Sequence, residues 1–82
     1  MTAYRQDALR CLAALAAGPR PARQVAAETG VARAATLMRD DHYGWFDHPA
    51  RGLYALSPKG AEALAALAGD IALLTGALAP RA

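Results

Sequence analysis

Cysteine is nearly absent from this sequence: Cys11 is the only one in 82 residues. A single thiol excludes an intramolecular disulfide and any zinc site built on cysteines, and it suits a reducing compartment and a small buried role. Lysine is as scarce, with Lys59 alone beside eight arginines. No apolar run approaches membrane-spanning length, and the N-terminus, MTAYRQDALRC, lacks the uninterrupted apolar core of a signal peptide. A soluble, cytoplasmic protein without membrane contact is expected. There is no glycine-rich phosphate loop, no pair of histidines four apart on one helix, and no nucleophile in an activating motif. His42 and His48, with Asp41 and Asp47 beside them, can be drawn as a metal or acid–base site, but a solvated turn explains them better. No catalytic residue, metal or cofactor is therefore expected, and the chain is not expected to be an enzyme.

Alanine is what the sequence has in excess, at 23 of the 82 residues. It buries little area and favours helix, so the 55% hydrophobic fraction predicts a mostly helical domain with a thin core. Charge is uneven. Residues 1–40 hold six arginines against Asp7, Glu28 and Asp40, a balance of +3, while residues 41–82 hold three basic groups against four acidic ones, a balance of −1. Net charge is only +2, thin for a protein whose affinity would follow the number of phosphates it neutralises.

In chain order, Tyr4, Ala8, Cys11, Leu12 and Leu15 recur at helical spacing and predict a first helix from Thr2 or Ala3 to Ala17, ended by Gly18-Pro19. Pro21 opens a second helix that runs to about Thr29. Gly30 supplies a left-handed turn, and a third helix is expected from Ala32 to about His42. In it Val31, Ala35, Met38 and His42 would face inward, and Arg33, Thr36, Leu37 and Asp40 partly outward. The period then changes to two. Gly44–His48 and Leu53–Leu56 read as a hairpin around Pro49-Ala50-Arg51-Gly52. Trp45, Phe46, Tyr54 and Leu56 are its expected share of the core. Ser57 and Pro58 then open a fourth helix. Along it Leu64, Leu67, Ile71, Leu74 and Leu78 form a short heptad seam, weakened by Gly69 and Gly76. Such a seam should be covered, either by a second copy, making a homodimer, or by folding back on helix one.

Helix, tight turn, helix is the order that lays a second helix in the DNA major groove. The expected contacts to double-stranded DNA are Arg33, Thr36 and Arg39 on helix three, with Ala32, Ala35 and Arg39 as the set favoured if that helix is rotated by one residue. Arg23 and Gln24 near the start of helix two can donate to a phosphate, and Arg51 at the hairpin tip is the most exposed basic group predicted. Asp40-Asp41 opposes this reading, because two carboxylates at a helix C-terminus repel both the dipole and a phosphate backbone.

The order of elements, with GV opening helix three and LYALSPKG joining hairpin to helix four, resembles a winged helix-turn-helix domain over residues 3–68. It is a mainly α fold with a three-helix core, a two-stranded wing and a C-terminal helix, leaving 69–82 as an extension. More narrowly, YRQDALRC, GVARAATLMRDDHYGWF and ARGLYALSPKG resemble the C-terminal segment of a bacterial family of predicted phosphodiesterases of the PD-(D/E)XK nuclease superfamily. The resemblance implies that catalytic acids and lysine belong to a nuclease-like domain outside this chain, since Lys59 follows Ser57-Pro58 and no acidic-x-Lys element is spelled. Thr36 and Leu37 also stand one residue further from the turn glycine than the Thr-apolar pair of many such motifs. Two functions follow as expectations: a DNA-binding module, as nuclease accessory domain or small transcriptional regulator, or a module of the same shape that dimerises or holds a partner domain.

Overall fold

The computed structural model describes residues 2–75. Its elements are α1 (Ala3–Ala14), β1 (Arg20–Pro21), α2 (Ala22–Thr29), α3 (Ala34–Asp40), β2 (Phe46–Ala50), β3 (Leu53–Leu56), α4 (Pro58–Ala66) and α5 (Ala68–Thr75). The result is mostly helical with a small antiparallel sheet of order β1-β3-β2, a winged-helix-like arrangement.

Thr2 caps α1, its hydroxyl oxygen accepting from the Arg5 amide at 3.1 Å. Ala8, Leu9, Cys11, Leu12 and Leu15 are buried along its inner face, Leu9 in addition to the positions the periodicity singles out. The helix ends at Ala14, three residues short of the expectation. Beyond it the amides of Leu15, Ala16 and Gly18 each bond the carbonyl three residues back, because Pro19 offers no N–H to extend a wider turn.

Gly30 adopts φ +77° and its amide reaches Ala26 O at 2.9 Å, the left-handed cap predicted for the turn. Thr29 closes the same corner, donating to Val25 O at 2.7 Å and accepting from the Val31 amide at 3.1 Å. Helix α3 is shorter than expected and differently rotated. Val31, Ala34, Leu37 and Met38 face the core, whereas Ala35 and His42, expected inside, are exposed, and Leu37, expected partly outside, is 1% exposed. The cause is the start of the helix: residues 32–33 form a turn, so the helical phase is set from Ala34.

The hairpin turn is tighter than the four residues foreseen. Ala50 pairs with Leu53, leaving Arg51 and Gly52 (φ +71°) at the tip. Between Asp47↔Ala55 and Ala50↔Leu53 the register shifts, and Pro49, which has no N–H for a ladder, sits in that bulge. The third strand was not expected: Arg20 pairs with Tyr54 and Pro21 with Leu53.

Ser57 anchors the hairpin to α4. Its amide donates to Trp45 O (2.8 Å), its hydroxyl donates to Gly44 O (2.6 Å), and its hydroxyl oxygen accepts from Gly60 N (2.9 Å). Ser57→Ala removes the cap and leaves a carbonyl without its hydroxyl, at an expected cost of about 1–3 kcal/mol. A urea midpoint equal to that of the parent protein would contradict this.

The single C-terminal helix expected from the heptads is two helices, broken at Leu67 two residues before Gly69. The break lets α5 lie on α1. Ile71, 8% exposed, joins the core of the same chain, and Leu64, Leu67 and Leu74 pack against it. The seam thus folds back within one chain over these four positions; Leu78 lies outside the described residues. Among the described residues no helix is long and apolar enough to cross a membrane.

Candidate nucleic-acid interface

The pairing of β1 with β3 brings the start of α2 against the wing. Ala22 N, in the first turn of α2, donates to Gly52 O at 2.9 Å, so the helix entry and the wing tip are tied together by backbone. Arg23 follows directly on the helix, and Arg51 precedes Gly52 in the turn. Both line one open cleft of about 740 Å³, together with Pro21, Ala22, Ala26 and Leu53, with Ala32 from the turn before α3 and with Ala35 from α3. The cleft's lining is mostly apolar, with Arg23 and Arg51 its two charged residues.

Neither Arg23 nor Arg51 pairs with a carboxylate among the described residues. Of the other basic groups, Arg20 and Arg39 have carboxylate neighbours, whereas Arg33 has none among the described residues. Arg20 bonds Glu28 at 2.8 Å, and Gln24 donates to the same carboxylate at 2.9 Å, so Gln24 is engaged within the protein. Arg39 lies 3.9 Å from Asp40, a weak exposed contact worth little energetically. Arg33 and Thr36 are exposed but outside the cleft. Both contact sets left open by the sequence are exposed, and of their members Ala32 and Ala35 line the cleft with Arg23 and Arg51.

Asp41 has a structural task. It takes a left-handed conformation (φ +50°), and its carboxylate accepts from Phe46 N at 3.1 Å, fixing the entry to the hairpin. The residues around it form an aromatic pack. Tyr43 stacks on Trp45 at 4.5 Å, His42 meets Tyr4 edge-on at 5.1 Å, and the Arg5 guanidinium sits 5.4 Å from the Tyr43 ring centre. This pins the N-terminal end of α1 to the hairpin. His48 lies flat on Tyr54 at 4.4 Å. The two histidines are thus used in separate ring contacts, and among the described residues no three His, Cys, Asp or Glu gather where a metal could be held. Cys11 is fully buried, and burial pushes its thiol up to about 12, which leaves it protonated and unreactive at neutral pH.

The cleft itself was missed by reasoning from sequence. Its signal lay in Pro19-Arg20-Pro21: a residue before proline is pushed to extended backbone, which is what allows β1 to form.

No curated protein and no solved structure matches the chain. The model of the family described as "Putative PD-(D/E)XK phosphodiesterase (DUF2161)" matches residues 1–63, from the N-terminus into α4. That is more than three quarters of the 82 residues, and the chain belongs to this family.

Proposed function

We propose that this chain is a DNA-binding module of winged-helix type, and that the cleft between α2, α3 and the wing receives a phosphodiester backbone. The observation that carries the reading is that Arg23 and Arg51 line one open cleft and that, among the described residues, no carboxylate pairs with either. Two arginines that line a shared cleft favour an anion there, and the planar fork of a guanidinium matches phosphate oxygens. The α2 N-terminus adds partial positive charge at the same place. Membership of a phosphodiesterase family agrees with a nucleic-acid substrate. The nuclease-like catalytic part of such a protein would lie outside these 82 residues, since no acidic-x-Lys element occurs in them. In this role the chain holds DNA and performs no chemistry.

Ala35→Asp tests the reading. The residue is exposed on α3, so the fold is retained, while a carboxylate is placed inside the cleft. Binding to a short random-sequence duplex, followed by fluorescence anisotropy at low salt, is expected to weaken by about tenfold or more, as a like charge beside a phosphate should do. Equal binding by parent and variant would place DNA elsewhere on the molecule. The second reading, a protein-interaction module, is favoured by one feature, the 83% exposure of Leu73 on α5. It is preferred if neither protein binds duplex.

A further inference from the structure

We infer that the interface holds duplex DNA without regard to base sequence, an inference that rests on the DNA-binding reading above. Reading a base edge in the major groove takes donors and acceptors, and these must come from the helix laid there. The segment that shares the cleft with Arg23 and Arg51 offers Ala32, in the turn before α3, and Ala35, on α3, and their side chains have neither. Methyl groups there can rest on deoxyribose or on a thymine methyl, and neither contact distinguishes one site strongly from another.

The polar residues of this segment, Arg33 and Thr36, are exposed but lie outside the cleft that Arg23 and Arg51 share. The helix is seven residues long, about 10 Å at 1.5 Å per residue, and it ends in Asp40, with Asp41 as its cap. Asp40 is exposed at the negative end of the helix, where it opposes close approach to a phosphate backbone. Arg39 has that same carboxylate 3.9 Å away. The two arginines that meet in the cleft come from the first turn of α2 and from the wing tip, elements placed to grip a backbone rather than to read bases. Positioning contacts therefore lie in the cleft, while the polar side chains that could read a base lie outside it. The partner is any B-form duplex, held by charge, as suits a module that keeps a phosphodiesterase on its substrate rather than at an operator.

The experiment is repeated selection from a random-sequence duplex pool, followed by titration of the recovered and starting pools at one salt concentration. The expected result is retention of DNA without an enriched motif, with recovered and starting pools binding within about tenfold of each other. Recovery of a consensus bound about a thousandfold or more tighter than the starting pool, the range of specific regulators, would overturn the inference and leave the DNA-binding reading intact. Absence of binding to any pool at low salt would overturn both.

Discussion

Gly60→Ala is expected to lower stability by about 3 kcal/mol and the melting temperature on the order of 10 °C or more. The direction is the opposite of what helix propensity predicts. In an exposed helix interior this exchange stabilises by about 1 kcal/mol, because alanine loses less chain entropy. At Gly60 the first turn of α4 is drawn onto the backbone of Trp45 by the Ser57 amide, which donates to Trp45 O at 2.8 Å. A Cβ added there overlaps the Trp45 carbonyl oxygen and stands 2.9 Å from its carbon. Both obstacles are main chain, so no side-chain rotation relieves them. The hairpin must move away from α4, weakening the bonds that Ser57 makes to residues 44 and 45. Gly69→Ala in α5 is the matched control. Nothing lies within 4 Å of its added Cβ, so a neutral or slightly stabilising effect is expected. Thermal unfolding of the two variants decides the matter, and a Gly60→Ala protein as stable as its parent would mean that the close approach of α4 to the hairpin is not real.

Leu37→Ala should cost about 2–5 kcal/mol, while Thr36→Ala, one residue away, should change stability by no more than about 0.5 kcal/mol. Leu37 is among the largest fully buried side chains, and its loss leaves a cavity beneath α3. A domain of this size has about 4–12 kcal/mol to lose, so the Leu37 variant should be partly unfolded at modest urea. The contrast tests the rotation of α3, on which the placement of Ala32 and Ala35 depends. A larger cost at position 36 than at 37 would mean that the other face is buried.

The elements most legible in the sequence were those with local chemical signatures. Gly30 between two apolar-faced segments, Ser57-Pro58 before α4, and the alternating runs on either side of Arg51-Gly52 each specify their structure within a few residues, and each element is present. Features decided by packing were not legible. The rotation of α3 depends on where its first helical residue falls, and in GVARAATLMR alanines stand on both faces, so periodicity there has little contrast. The break at Leu67 lets α5 dock on α1, a contact the heptad count cannot distinguish from a second copy. As for the cleft, Arg51 and Arg23 were individually readable as exposed cations. Their meeting depends on β1, two residues long, too short to carry a period of two. Gln24 illustrates the converse: its sequence position suits phosphate contact, but Glu28 one helical turn on claims its amide.

The salt dependence of duplex binding by the parent protein and by an Arg23→Ala, Arg51→Ala double variant tests the central claim most directly. Each phosphate neutralised contributes about 0.9 to the slope of log affinity against log salt, so removing two phosphate-bound arginines should flatten that slope by about two. Affinity at low salt should fall together with it, by a similar factor on every sequence tried. A double variant that binds with the parent's slope would show that the cleft between α2, α3 and the wing does not hold the backbone.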